Sequence, residues 1–152
     1  MALPEPGVND AVSLSSGDSY TCALKRTGAV ACWGSLFQAD LPGVSFGLAP
    51  FIVPELDQVI QVSVGSSTAC ALRRNGTVAC WGEGTFGQLG TGTFNSNTTP
   101  QVVRNLDNVV LLADASTAGG RHVCVLRSDR SVACWGERTD STTPVVVDDL
   151  PD

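Results

Sequence analysis

The sequence predicts an all-β fold made of three tandem copies of one unit, and two observations carry that expectation. The segments Gly17–Gly34, Gly65–Gly82 and Gly119–Gly136 superimpose without gaps, and each ends in Cys-Trp-Gly. The 152 residues hold 16 Gly and 8 Pro against one Met and one Lys, a turn-rich composition, and no stretch shows helical periodicity. Self-similarity of this kind sets the architecture before any single strand is assigned.

The repeat extends past those segments, with steps of 48 and 54 residues from Cys22 to Cys70 to Cys124. Each copy is preceded by a strand-like run: Ala11 to Ser15, Val59 to Val64, and Val109 to Ala113. Each closes on a Val- or Pro-rich strand and a Leu-Asp-like stop, as in Phe51-Ile52-Val53-Pro54-Glu55-Leu56-Asp57. The organisation is therefore a lead-in over 1–10 and units over 11–57, 58–107 and 108–150. About four short strands per unit of this length is the pattern of a propeller blade, with a β-solenoid as the rival.

Six cysteines fall in three pairs with nine residues between partners. With Arg26-Thr27-Gly28 as a three-residue hairpin loop and Gly28 left-handed, Leu24 faces Val30, Ala23 faces Ala31 and Cys22 faces Cys32. Counting from the turn puts the two cysteines at a non-hydrogen-bonded pair, where α-carbons lie about 4.5 Å apart, within disulfide reach. The expected bridges are Cys22–Cys32, Cys70–Cys80 and Cys124–Cys134, each stabilising by roughly 2 to 3 kcal/mol. Bridges imply an oxidising compartment: extracellular, cell-surface or periplasmic. Two readings compete, reduced core cysteines and zinc ligation; the latter favours shorter Cys spacing and help from His, and the chain has one His.

Composition excludes several function classes. A formal net charge of −6 with no basic run disfavours nucleic acid. No apolar run approaches the roughly 18 residues of a membrane helix, so no membrane insertion is expected. The N-terminal Met1-Ala2-Leu3-Pro4-Glu5-Pro6 does not read as a signal peptide. Gly82-Glu83-Gly84-Thr85-Phe86-Gly87 matches a dinucleotide fingerprint, but Gln88-Leu89-Gly90-Thr91-Gly92 follows where a helix is required. His122, the single histidine, falls beside a hairpin strand, which suits a structural hydrogen bond better than a catalytic base. Asp148, Asp149 and Asp152 read as a solvated tail rather than a calcium loop. Asn75-Gly76-Thr77 is a formal sequon better explained as turn chemistry, and Asn97-Thr98-Thr99 is a second one in a polar stretch. No catalytic residue, metal site or cofactor is expected.

The pattern Gly-x-x-His-x-Cys-x-Leu…Gly-x-Val-x-x-Trp-Gly, followed by Gly-Gln-Leu-Gly-x-Gly, resembles the RCC1 repeat. Gly119 and His122 supply its start in the third copy, and Gly87-Gln88-Leu89-Gly90-Thr91-Gly92 its end in the second. The chain departs from the pattern where Tyr20 and Thr68 replace the His, and where Arg130 takes the turn position of Gly28 and Gly76. Ser35 to Ala49 stands in place of Gly-Gln-Leu-Gly in the first unit, and Glu137 to Thr143 shortens it in the third. The resemblance implies three RCC1-like four-stranded blades. Family members usually close seven blades into a ring, so three form a partial propeller or a ring completed by oligomerisation.

The expected function is a non-enzymatic scaffold that binds a protein partner. The apolar candidates for that contact lie in the segments that differ between units: Leu36, Phe37, Leu41, Phe46, Phe86 and Phe94. Trp33, Trp81 and Trp135 recur at one position per unit, which favours packing between blades over a ligand cage. Two alternatives stand beside this: self-association as a homo-oligomer, and inhibition of an extracellular or periplasmic enzyme.

Overall fold

The pentapeptide Val-Ala-Cys-Trp-Gly occurs three times, and each copy is a strand. The computed structural model describes residues 8–35, 49–113 and 121–148. Its first unit contains β1 (Ala11–Ser16), β2 (Tyr20–Lys25), β3 (Val30–Gly34) and β4 (Phe51–Ile52). The second contains β5 (Val59–Val64), β6 (Thr68–Arg73), β7 (Val78–Gly82) and β8 (Asn97–Val102). The third contains β9 (Val109–Leu112), β10 (His122–Arg127), β11 (Val132–Gly136) and β12 (Ser141–Val146). Each unit is one four-stranded antiparallel sheet with its strands in sequence order. The fold is all-β, and the sheets stack as propeller blades.

The hairpins form where the turn chemistry demands. Gly28 N–H donates to the Lys25 carbonyl at 2.9 Å, and Lys25 N–H donates to the Ala29 carbonyl at 2.9 Å. Gly28 and Gly76 sit at φ +86° and +83°, a region that costs an L residue about 1 kcal/mol or more. A side chain there would also meet the next unit: a Cβ on Gly28 would lie 3.1 Å from the Gln58 Cα, and one on Gly76 equally far from the Asn108 Cα. Both glycine carbonyls accept a hydrogen bond from that next strand, from Val59 N–H and Val109 N–H, each at 3.1 Å. The turn is thus also a joint between units. Arg130 adopts the same left-handed backbone, at φ 73°.

The outermost strands begin earlier than the sequence suggests. Asn97-Thr98-Thr99 and Ser141-Thr142-Thr143 belong to β8 and β12 rather than to loops. Pro100 and Pro144 therefore lie inside strands, which is tolerated because each strand pairs on one side only.

The core lies between sheets. One apolar cluster joins Tyr20, Cys22, Leu24, Val30, Cys32, Val53 and Leu56 of the first unit to Val59, Val64, Ala69, Ala71, Ala79 and Trp81 of the second. A second cluster repeats it one unit on, from Cys70, Leu72, Val78, Cys80 and Val103 to Val109, Leu112, Val125, Ala133 and Trp135. Polar bonds between the first strands reinforce the stack. The Gln61 side chain donates to the Leu112 carbonyl at 2.6 Å and accepts from Leu112 N–H at 2.9 Å, and Ser15 Oγ accepts from Val64 N–H at 2.9 Å.

Two substitutions test this account. Gly76→Ala is expected to destabilise by at least about 1 to 2 kcal/mol in denaturant unfolding, combining the left-handed cost with the contact on Asn108. Glu55 is held at φ 60° where the matched residue of the second unit is Asn105, at φ 54°. Glu55→Asn is expected to raise the unfolding free energy by roughly 0.5 kcal/mol, read as a higher denaturant midpoint, because Asn tolerates that conformation better.

Candidate functional site

Each described sheet has two unlike faces. One carries the paired cysteines and, in the first and second units, meets the following unit; the other carries the Trp and, in the second and third, meets the preceding unit. Register fixes this. Cys22 lies opposite Cys32, Cys70 opposite Cys80 and Cys124 opposite Cys134, and each pair is bonded, with α-carbons 4.1 Å apart. Strand alternation then sends the neighbouring Trp to the opposite face.

Trp81 and Trp135 are buried, and their indole N–H groups find acceptors in the preceding unit. Trp81 Nε1 donates to the Tyr20 hydroxyl at 3.4 Å, and Trp135 Nε1 donates to the Gln88 carbonyl at 2.9 Å. Burial pushes the Tyr20 phenol up to about 12, with the Trp81 contact opposing the shift, so the hydroxyl stays neutral through ordinary pH. Trp33, with no described unit before it, is only half-buried.

Matched positions show the same asymmetry. Leu14, Val62 and Leu112 face Ala23, Ala71 and Val125 across their hairpins. Leu112 is 1% exposed against its neighbour, whereas Leu14 is 68% exposed. At the other end Val53 and Val103 are 2% exposed, while Val147, at the same place in the third unit, is 38% exposed. Among the described residues, nothing covers the Trp33 face or the Cys124–Cys134 face.

The loop after β7 divides into a base and a tip. Glu83 organises the base: its carboxylate accepts from Ser67 Oγ at 2.6 Å and from Thr85 Oγ1 at 2.7 Å. Gln88 and Leu89 are fully buried between units, and Gln88 Oε1 accepts from Phe86 N–H at 2.8 Å. The Gly-Gln-Leu-Gly stretch therefore serves packing rather than a contact surface. Gly90 accepts from Arg104 N–H and Gly92 N–H donates to the Thr142 carbonyl, tying the loop across to the third unit. Only the tip, Gly92 to Ser96, is exposed throughout, and it presents Phe94 at 64% exposure. Phe86 is half-buried, with the Arg121 guanidinium 4.3 Å from its ring centroid. Leu36, Phe37, Leu41 and Phe46 lie outside the described residues. A shallow cleft opens beside Arg121, His122 and Gln88 at the same junction. No set of His, Cys, Asp or Glu among the described residues is gathered as metal ligands, and none of the described residues forms a helix long and apolar enough to cross a membrane.

Both sequons use their amide oxygens internally. Asn75 Oδ1 accepts from Thr77 N–H at 3.1 Å and Thr77 Oγ1 at 2.7 Å, and Asn97 Oδ1 makes the same pair of bonds to Thr99. In the third unit Asp129 takes the place of Asn75 and accepts from Ser131 Oγ and Ser131 N–H at 2.6 and 2.9 Å. The motif is a turn device that tolerates Asn or Asp. The bonds from the Ser131 hydroxyl, then its N–H, hold the Asp129 carboxyl below the usual carboxylate range.

The chain resembles known proteins at two levels. One model of the regulator of chromosome condensation (RCC1) repeat matches residues 11–35 and 59–88, and a second RCC1 repeat model matches 75–126, together well over half of the chain. No curated protein matches it in sequence. Among solved structures, Kap60-bound yeast RCC1 (Prp20) superposes with a TM-score of 0.77 at 24% identity, over 93% of this chain and 36% of that one. Prp20p from Saccharomyces cerevisiae gives a TM-score of 0.77 at 24% identity, over 93% and 37%. Human WBSCR16 gives 0.75 at 21% identity, over 91% and 38%. The chain thus spans little more than a third of the length of these structures.

Two measurements follow from the geometry. Replacing Cys70 and Cys80 together by Ser is expected to lower stability by roughly 2 to 3 kcal/mol in denaturant unfolding, since it releases a short closed loop. On acidification, the folded pKa of Asp129 lies below its unfolded value, so its turn is supported above the unfolded pKa and weakens as pH falls through the folded one. The Ser131 amide signal is expected to shift over that acid range by NMR, while that of Thr77, bonded to uncharged Asn75, stays put.

Proposed function

The chain belongs to the RCC1 repeat family, and from that premise we propose that it is a non-enzymatic scaffold for protein–protein interaction acting outside the reducing cytosol. The observation that carries this reading is the loop after β7. Its base is locked by Glu83 and by buried Gln88 and Leu89, and its tip holds Phe94 in solvent. An apolar side chain on a braced loop is a binding anchor whose ordering cost is already met by the fold. Phe86 under Arg121 extends the surface with an aromatic and a cation, two residue types enriched at binding hot spots. Three hairpin disulfides support an oxidising location. The solved Prp20 structures concern protein partners, Kap60 in one and Gsp1p and histones in the other, which supports a protein as the ligand class here. Inhibition of an extracellular or periplasmic enzyme is one form the same contact takes.

A pull-down from the native extracellular milieu, with wild type beside Phe94→Asp, tests the reading. The substitution lies on an exposed side chain and leaves the core intact. A partner recovered by wild type and lost about tenfold or more with the variant is the expected result. Equal recovery by both refutes Phe94 as the anchor.

A second reading, self-association, is favoured by a different observation: the apolar Trp33 and Cys124–Cys134 faces at opposite ends of the stack. Sedimentation velocity over a concentration series is expected to show reversible growth in mass. A monomer throughout removes this reading and leaves the first untouched.

A further inference from the structure

We propose that the two uncovered faces are halves of one interface: the Trp33 face of one copy seats on the Cys124–Cys134 face of a second copy, head to tail. This rests on the self-association reading and adds its polarity and its residues. The interface already exists twice within the chain. The second unit's Trp81 face seats on the Cys22–Cys32 face, and the third unit's Trp135 face on the Cys70–Cys80 face, with matched residues in both clusters. The copy-to-copy seat repeats that docking a third time.

Two features of the end faces fit the assignment. First, both stay apolar. Leu14 and Trp33 stand where Val62 and Trp81 pack, and Leu126, Val132 and Val147 stand where Leu72, Val78 and Val103 pack.

Second, the indole has an acceptor waiting. Tyr20, which receives the Trp81 N–H, pairs with Gly34 in register; His122 pairs with Gly136 and so holds the Tyr20 position in the third unit. Alternation places the His122 side chain on the Cys124 face. Trp33 Nε1 of the incoming copy donates to a His122 ring nitrogen, as Trp81 donates to the Tyr20 oxygen.

The turn joint does not repeat. Within the chain, the Gly28 and Gly76 turns receive Gln58 and Asn108 at the start of the next unit. Arg130 stands at that place in the third unit, so the copy-to-copy seat is made by the sheet faces and not by the turn. A contact of this heterologous kind closes into a ring or runs on as an open filament.

Complementation tests the proposal. Trp33→Glu spoils one face and leaves the other intact; Leu126→Asp does the reverse. Near-ultraviolet circular dichroism and thiol blocking show that each variant is folded and fully oxidised. By sedimentation velocity each alone is expected to lose association by about thirtyfold or more, and the equimolar mixture to form a dimer that grows no further. Association unchanged by Trp33→Glu, or no dimer on mixing, overturns the assigned faces while self-association itself stands. Wild type monomeric at every concentration overturns both. If Trp33→Glu fails to fold, Leu14→Asp, at an exposed side chain of the same face, takes its place: it is expected to weaken association alone and to form the dimer when mixed with Leu126→Asp, and no dimer refutes the seat.

Discussion

The seating of a tryptophan against the cysteine face of the unit before it is the contact on which the stack depends. A single blade has two faces to bury and nothing of its own to bury them with. Trp81 and Trp135 resolve this by crossing from one sheet to the next, each removing roughly 4 to 6 kcal/mol of apolar surface from water by area arithmetic. The rest of the sheet is shaped around that contact. Ala69, Ala71 and Ala79 are small where the Cys22–Cys32 bridge of the neighbour comes close. Donor and acceptor complete it, since an indole N–H buried without a partner would cancel part of the gain.

The other repeated shapes of the unit follow from the same demand for close approach. The hairpin turn must be left-handed to keep the cysteines in register, and it must be bare to admit the next strand. Glycine meets both needs at 28 and 76. Arg130 meets only the first, in the one hairpin that receives no described strand.

Much of this was legible in the sequence. Three Cys-Trp-Gly segments gave the number of blades, and the Arg26-Thr27-Gly28 turn set a register in which Cys22 opposes Cys32. The outer strands were not legible at their beginnings. Asn97-Thr98-Thr99 has the composition of a loop, yet an edge strand needs no apolar face and accepts such residues. The division of the loop after β7 was also hidden. Gln88 is polar in sequence but wholly buried, its main-chain carbonyl taken by Trp135 and its side-chain oxygen by Phe86. Phe94, four residues past Gly90, stays outside, with no described residue reaching over it. The polarity of the stack, Trp toward the preceding unit, follows from burial between sheets and from no residue pattern within one unit.

Each disulfide closes within its own hairpin, over a sequence separation of ten residues, and none links one unit to another. The covalent framework is therefore modular along the chain. A polypeptide delivered end-first into an oxidising space can finish its first bridge before the residues of its second have arrived, so the order of emergence itself guards against mispairing. The stack then assembles from hairpins already locked in register, and adding or deleting a unit leaves every remaining cysteine with its own partner.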